Sequence, residues 1–274
     1  MSLIHSEKEI REFACRLYLA HPNQCREHGL FIIMPWARKK YWDGYTGSNR
    51  GATRHLDRKF VSMRSDRITG VDSFATCYYR SILLCDAPEG AYTIVPDDKN
   101  KNEEEIIIPK RTMAIYGSIQ PHDGMAAMKQ LVHDYIDYQY SHSPDVKFVP
   151  LSRLQRSIHI SPCRNRTKIM DLDVDSKEPR HLNMLVEFLK RMDLVSEILF
   201  VIETRGGFHV LIQKCNMGKN FPALENFFKR NDIKDWCSIA SKDNVVPIPG
   251  TVQGGFNVTM WDLEKFLIKY SHTS

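Results

Sequence analysis

The sequence predicts an α+β protein, and three stretches carry that prediction. Two apolar segments, 198–204 and 208–213, flank Arg205-Gly206-Gly207, a pattern typical of an antiparallel hairpin with a glycine turn. Residues 168–175 alternate acidic and apolar side chains, as a strand with one buried face does. Between them, segment 182–192 repeats leucine at helical spacing. Strands and amphipathic helices therefore follow one another along the chain.

The first hundred residues predict fewer elements. Residues 6–20 repeat apolar side chains at helical spacing, and the run at 30–34 indicates a buried strand. Short apolar runs within 71–96 are interpreted as strands or a hairpin. Residues 97–105 are polar and charged, which favours a loop or an internal boundary.

The remaining elements follow from capping residues and apolar spacing. A strand at 113–116 leads to Asp123, which is placed to cap a helix. That helix would carry an apolar stripe of Met125, Met128, Val132, Tyr135 and Ile136. Pro179 suits the start of the helix over 182–192. Further helices are expected at 223–230 and 259–270, and the segment Asp235-Trp-Cys-Ser-Ile239 comes between them.

The composition excludes several classes of protein. The chain has 274 residues, of which 42% are hydrophobic, so it can form an ordinary core. Its seven cysteines include no Cys-x-x-Cys pair, which argues against a disulfide scaffold or a zinc site and for an intracellular protein, in the cytoplasm or nucleus. No apolar run is long enough to span a membrane. A net charge of +5 favours anionic partners.

The acidic strand is the first candidate site. On an extended strand Asp171, Asp173 and Asp175 share one face, and the apolar residues between them share the other. Like charges at this spacing repel unless a cation or several donors compensate. Carboxylate oxygens are suitable ligands for Mg²⁺ or Mn²⁺. The alternative is a strand that simply runs into an acidic turn.

The glycine turn is the second candidate site. Backbone N–H groups at Gly206 and Gly207 can approach a phosphate closely, and Arg205 adds charge. His209 follows on the second strand of the hairpin. We expect Arg205, Gly207 and His209 to bind a nucleotide, although a lone strand histidine can equally be a packed core residue.

A basic and aromatic stretch at 36–59 is the third candidate. It interleaves tryptophan and tyrosine with cations, including Arg38, Lys39, Lys40 and Arg54. Single-stranded nucleic acids are bound by such mixtures, because cations meet phosphates and rings stack on bases. The alternative is a solvated basic face.

These motifs together resemble the archaeo-eukaryotic primase superfamily. Its acidic strand is similar to Asp171-Leu172-Asp173, and its small-x-His strand is similar to Thr204-Arg-Gly-Gly-Phe-His209, with Gly207 where the family often has serine. The segment Ile248-Pro-Gly-Thr-Val-Gln-Gly254 resembles the stretch that follows the third acidic residue in primase small subunits. The family spacing then implies Asp235 as the third metal ligand, with Asp243 as the competitor.

The resemblance implies both a fold and an activity. A further stretch, 114–123, is similar to a family strand ending in Asn-Pro-Arg, although Gln120 and His122 replace two of those residues. The implied fold is a primase-polymerase core at 106–274, with a mostly antiparallel sheet of modified RNA-recognition type. Residues 1–105 would form an N-terminal α/β extension, integral to the core or packed on it.

The implied activity is template-dependent nucleotidyl transfer by a DNA primase or polymerase. Asp171, Asp173 and Asp235 would hold two Mg²⁺ or Mn²⁺ ions, and no zinc is expected. The partners would be DNA template and primer and nucleoside triphosphates, and a helicase or another replication protein is a candidate partner. Two alternatives stay open. One is a non-catalytic nucleic-acid-binding protein of the same fold, and the other is a rolling-circle replication initiator nuclease, for which the paired histidines are lacking.

Overall fold

The computed structural model describes most of the chain, with gaps. The described residues are 1–21, 29–38, 41–42, 53–55, 59–62, 68–94, 106–140, 158, 163, 168–214, 221–240 and 245–271. Lys39, Lys40, Asp243 and the polar stretch expected at 97–105 lie outside them.

The described chain alternates helices with strands. The helices are α1 (Glu7–Leu19), α2 (Val71–Cys85), α3 (Gly124–Tyr140), α4 (Pro179–Arg191), α5 (Phe221–Phe228) and α6 (Leu263–Ser271). The strands are β1 (Gly29–Arg38), β2 (Thr53–His55), β3 (Lys59–Ser62), β4 (Thr93–Ile94), β5 (Ile106–Ile107), β6 (Met113–Ser118), β7 (His122–Asp123), β8 (Ile169–Val174), β9 (Ile198–Glu203), β10 (Phe208–Gln213), β11 (Cys237–Ile239), β12 (Val245–Pro247), β13 (Val252–Gln253), β14 (Phe256–Asn257) and β15 (Thr259–Trp261).

The first sheet is built around the long strand β1. Strand β6 pairs along one edge of β1, and β2, β3 and β7 pair with other parts of it. Strand β12 extends the sheet beyond β6. Strand β1 comes from the N-terminal region and β6 from the region after residue 106, so this sheet joins both parts of the chain.

The second sheet carries the acidic strand at an inner position. Its order is β11-β8-β10-β9-β15, and every pairing in it is antiparallel. Two further pairs of short antiparallel strands, β4-β5 and β13-β14, lie outside these sheets. The predicted α+β class with antiparallel sheets is therefore confirmed.

Two cores fix the second sheet on both sides. On one face, Leu172 and Val210 pack with the apolar sides of α4, α5 and α6. On the other face, Ile169 and Leu211 join Phe31 of the first sheet in a core that also contains α1 and α2. The acidic row lies on this second face. Burial of large apolar side chains in both cores, each stabilising the fold by roughly 1.5–3 kcal/mol, holds the sheet in place.

Several elements confirm the sequence predictions. Helix α1 begins after Ser6, whose Oγ accepts a hydrogen bond from the backbone N–H of Glu9. Asp123 caps α3 by accepting from the N–H of Ala126 at 2.9 Å. Helix α4 begins at Pro179 as expected. The hairpin of β9 and β10 matches the predicted strands within one residue.

Other predictions were wrong at the level of elements. The runs within 71–96 are predicted as strands or a hairpin, but residues 71–85 form α2, and among the described residues of this range Thr93–Ile94 alone is a strand. The buried side chains of α2 have helical spacing: Phe74, Ala75, Tyr78, Ile82 and Cys85. The helix expected at 259–270 begins only at Leu263, because residues 259–261 pair with the edge strand β9 as β15.

The apolar stripe predicted for α3 is about half exposed and does not lie in a core. Ala127 is buried against the first sheet, whereas Met125, Met128, Val132 and Ile136 each expose about half of their side-chain surface.

Among the described helices none is long and apolar enough to cross a membrane.

Candidate functional site

The acidic residues of β8 lie on the face of the second sheet that looks toward the first sheet. Met170, Leu172 and Val174 are buried in the opposite core, so the alternation predicted from the sequence is present. Asp171 is almost completely buried, whereas the Asp173 side chain is 38% exposed. The two carboxylates therefore differ in how easily a ligand in solution reaches them.

His209 lies between these two carboxylates. On β10 it is directly opposite Asp173. Its Nδ1 is 3.0 Å from both carboxylate oxygens of Asp171, and its Nε2 is 3.8 Å from Oδ1 of Asp173. A buried carboxylate needs a donor or a cation, and the protonated Nδ1 supplies that donor. Histidine is thus the compensating group that the alternating acids require.

The charges around His209 set its protonation. Burial alone would lower the pKa of the imidazole, but Asp171, followed by Asp173 and Asp175, raises it above its ordinary value. His209 is therefore held toward the imidazolium form, which neutralises part of the acidic row. We use the term acid face for the surface formed by Asp171, Asp173, His209 and the neighbouring Ser238.

The turn before His209 is closed by Thr204 and Gly207. The backbone N–H of Thr204 donates to the carbonyl of Gly207 at 2.9 Å, and the N–H of Gly207 donates to Oγ1 of Thr204 at 3.2 Å. A Cβ at position 207 would lie 2.8 Å from the backbone N of Ser176 and closer still to the carbonyl oxygen of Val174. Close packing against the end of β8 therefore explains why glycine stands where serine was expected from the resemblance.

Arg205 reaches from this turn to the β13-β14 hairpin. Its Nη1 donates to the carbonyl of Gly254 at 2.6 Å, and its backbone N–H donates to Oε1 of Gln253 at 2.9 Å. Its guanidinium carbon lies 4.7 Å from the centre of the Tyr41 ring. The arginine is exposed but anchored, so its charge has a defined position between the turn before His209 and the β13-β14 hairpin.

Arg38 is the one cation of the predicted basic and aromatic stretch whose side chain is described. Arg38 is the last residue of β1. Its Nη1 donates to the Tyr116 hydroxyl, and its guanidinium carbon lies 5.6 Å from the centre of the Tyr116 ring. Burial lowers its pKa, but Tyr116, Tyr41 and also Asp173 raise it further than burial lowers it. Arg38 therefore lies within electrostatic reach of the acid face. Arg54 is described only by its backbone, opposite Ala37 on β2.

The third predicted carboxylate is not brought onto the acid face. Asp235 is exposed and precedes β11 in a turn. The register of β11 places Ser238 directly opposite Asp173, on the side away from His209, while Cys237 points into the opposite core. The row across three strands is consequently His209, Asp173 and Ser238.

The carboxylate oxygens on the acid face are of the type that a hard divalent cation prefers, but they are too few to complete its coordination. Two carboxylates on the same face of a strand offer the oxygen ligands that Mg²⁺ and Mn²⁺ prefer. Asp173 is accessible, and Asp171 keeps lone pairs beyond those shared with His209. Within the described residues no group of three or more His, Cys, Asp or Glu side chains is placed to hold a metal. A bound cation would thus take the remaining ligands from substrate or water.

Sequence reasoning gave no role to three polar residues near the site: Ser238, Tyr116 and Gln253. Tyr116 and Gln253 lie within stretches that carry the resemblance, but only strand register and hairpin docking place all three. Comparisons of the chain with protein-family models, curated proteins and solved structures found no match. The resemblance to primases therefore stays a prediction.

Proposed function

We propose that this chain is a template-dependent nucleotidyltransferase, a DNA primase or polymerase. The observation that carries the proposal is the convergence of Asp171, Asp173 and His209 on one face, with Arg38 within electrostatic reach of Asp173 and Arg205 fixed in the turn that leads to His209. Carboxylates beside fixed guanidinium groups suit a substrate that is both polyanionic and bound to a divalent cation. A nucleoside triphosphate has this chemistry.

Each residue has a distinct task in this proposal. Asp171 and Asp173 would hold Mg²⁺ or Mn²⁺, which would activate a 3′-hydroxyl and neutralise charge on the leaving pyrophosphate. His209 orients the Asp171 carboxylate through Nδ1. Arg205, fixed by Gly254 and Gln253, would bind the triphosphate. DNA template and primer would be the other substrates, and a helicase is a candidate partner inside the cell.

A second candidate is supported by a specific observation. Ser238 stands beside Asp173 where a third carboxylate would complete the metal site, and Asp235 is exposed in the preceding turn. A site with two carboxylates holds a second metal ion less strongly than a site with three. A protein that binds nucleotide or nucleic acid on this face without turnover fits that observation.

One experiment with the wild-type protein separates the candidates. The protein is incubated with a primed, end-labelled DNA template, all four deoxynucleotides or ribonucleotides, and Mg²⁺ or Mn²⁺. Primer extension supports the proposed function, and binding without extension supports the second candidate. Site-specific nicking would instead indicate a replication initiator nuclease and would reject both.

A further inference from the structure

Two arginines from different parts of the fold are connected through buried polar side chains. Nη1 of Arg38 donates to the Tyr116 hydroxyl, and the same hydroxyl accepts from Nε2 of Gln253 at 3.1 Å. Oε1 of Gln253 in turn accepts from the backbone N–H of Arg205 at 2.9 Å. A continuous series of hydrogen bonds therefore runs from the Arg38 guanidinium to the turn that carries Arg205.

The two residues in the middle of this series are held rigidly. Tyr116 is 3% exposed and stacks on Trp36, with ring centres 4.4 Å apart and planes 29° from parallel. Gln253 is 4% exposed, and both ends of its amide are hydrogen-bonded. Buried polar side chains with all partners in place have fixed orientations. The Arg38 guanidinium and the backbone of Arg205 are therefore held in fixed positions.

Tyr41 shows that both guanidinium groups act on the same small region. Burial and then Tyr116 raise the pKa of Tyr41 to about 12, and Arg38 and Arg205 both act to lower it. The Arg205 guanidinium also lies over the Tyr41 ring. Gly254, with φ +56, leaves room for this contact, because a Cβ there would lie 2.8 Å from Nη1 of Arg205. Two cations are therefore concentrated around one buried phenol.

We propose that Arg38 and Arg205 together form a paired-guanidinium site for the polyphosphate of a nucleotide, and that Tyr116 and Gln253 are positioning residues for it. The inference rests on the proposed function and assigns Arg38 to the nucleotide instead of the template. Guanidinium groups bind phosphate in a forked geometry, and holding two of them in advance removes an ordering cost from binding. The half-buried position of Arg38 suits a small ligand.

The test measures binding and needs no template and no turnover. Dissociation constants for inorganic tripolyphosphate and for a labelled single-stranded DNA are determined in the presence of Mg²⁺. The variants are Arg38→Gln, Arg38→Lys, Arg205→Gln and Tyr116→Phe. Arg230→Gln is the control, since Arg230 is exposed and pairs with Asp232 on the surface. Melting temperatures confirm that each variant folds.

We expect Arg38→Gln and Arg205→Gln each to weaken tripolyphosphate binding about tenfold, the loss of one charge-assisted contact. Tyr116→Phe should weaken it about threefold to fivefold while both charges remain, because the hydroxyl only positions Arg38. The tripolyphosphate affinity of Arg38→Lys should lie between the affinities of wild type and Arg38→Gln. Arg230→Gln should change nothing, and single-stranded DNA affinity should stay within about twofold in all four variants.

Unchanged tripolyphosphate affinity in Arg38→Gln and Tyr116→Phe would overturn the inference, as would a loss confined to DNA binding. If Arg38→Gln does not fold, Arg38→Lys and Tyr116→Phe decide the question. If the binding results are as expected but the protein incorporates no nucleotide, the proposed function is rejected and the paired site is kept. Normal incorporation with unchanged tripolyphosphate affinity would reject the paired site alone.

Discussion

Gly207 illustrates how a single residue connects the acid face to the glycine turn. Its missing side chain lets the start of β10 approach the end of β8, so that His209 comes directly opposite Asp173. The sequence marks the glycine but gives only a phosphate-binding reason for it. The structural reason is a close approach between backbones, which depends on strand pairing distant in the chain.

Gly207→Ala should therefore destabilise the protein strongly. The added methyl group meets the carbonyl of Val174 and the backbone N of Ser176, neither of which is a flexible side chain. We expect a loss of about 3 kcal/mol or more in the free energy of unfolding, measured by urea denaturation. Gly206→Ala is the matched control in the same turn, since its nearest contact is Oδ1 of Asp175 at 3.8 Å. Equal stability of the two variants would contradict the packing argument.

Ser238 provides a second residue-scale prediction. A carboxylate at this position would lie beside Asp173 on the acid face. Ser238→Asp should raise Mn²⁺ affinity about tenfold, since an added charged oxygen ligand strengthens binding of a hard cation. Without metal the same variant should be less stable than wild type, because like charges opposite one another repel.

Titration calorimetry with Mn²⁺ and thermal melts with and without the metal measure both effects. Ser196→Asp is the control, as Ser196 is exposed and lies outside the acid face. A Ser238→Asp protein with wild-type Mn²⁺ affinity would show that no cation binds next to Asp173.

At the scale of elements, the N-terminal segment fastens the hairpin that carries Gln253. The backbone N–H of Val252 donates to the carbonyl of Leu3 at 2.8 Å. The same segment is held at its other side by Asp86, which accepts from Ser2 Oγ at 2.7 Å and from the N–H of Leu3 at 2.9 Å. Lys110 completes the cluster, with Nζ 2.7 Å from Asp86.

Asp86 should make stability depend on pH in the acid range. Burial raises the pKa of this carboxyl, but Lys110, Leu3 and Ser2 lower it further, so the folded-state pKa is below its ordinary value. The carboxylate therefore stabilises the fold above the unfolded-state pKa of about 4 and loses this contribution as the pH falls through the lower folded-state value.

Asp86→Asn should lower the free energy of unfolding by roughly 1–3 kcal/mol at pH 7, the usual value for a hydrogen-bonded charge. The difference from wild type should shrink toward pH 3. Urea midpoints of both proteins at the two pH values measure this, and a difference that stays constant with pH would exclude Asp86 as the titrating group.

Elements were predictable from the sequence where their own side chains determined them. The hairpin of β9 and β10, helix α4 and the cap of α1 each follow from local spacing. Helix α2 has a local helical spacing, but its apolar residues also form short runs that favour strands. The strand β15 depends on the edge of β9, a pairing partner outside its own segment.

At the scale of the whole molecule, the candidate site requires both sheets. Sequence reasoning identified Asp171 and Asp173 on one strand, and Arg205 and His209 at a later turn. Pairing of β8 with β10 in the second sheet brings these two segments together. Its assignment of Arg38 to nucleic acid stays a prediction. Pairing of β1 with β6 brings Arg38 against Tyr116, within electrostatic reach of Asp173. Contacts between sheets have no local pattern, so this half of the site could not be predicted.

The central claim is that the acid face transfers nucleotides, and incorporation of a labelled nucleotide into a primed template tests it most directly. Asp173→Ala is the decisive variant, because Asp173 is accessible and its removal leaves the bond between Asp171 and His209 in place. Asp137→Ala, on the exposed surface of α3, is the control. We predict that wild type and the control incorporate nucleotide with Mg²⁺ or Mn²⁺, and that Asp173→Ala, folded and with an unchanged melting temperature, loses at least about a thousandfold in rate. Full incorporation by Asp173→Ala, or none by wild type, would contradict the claim.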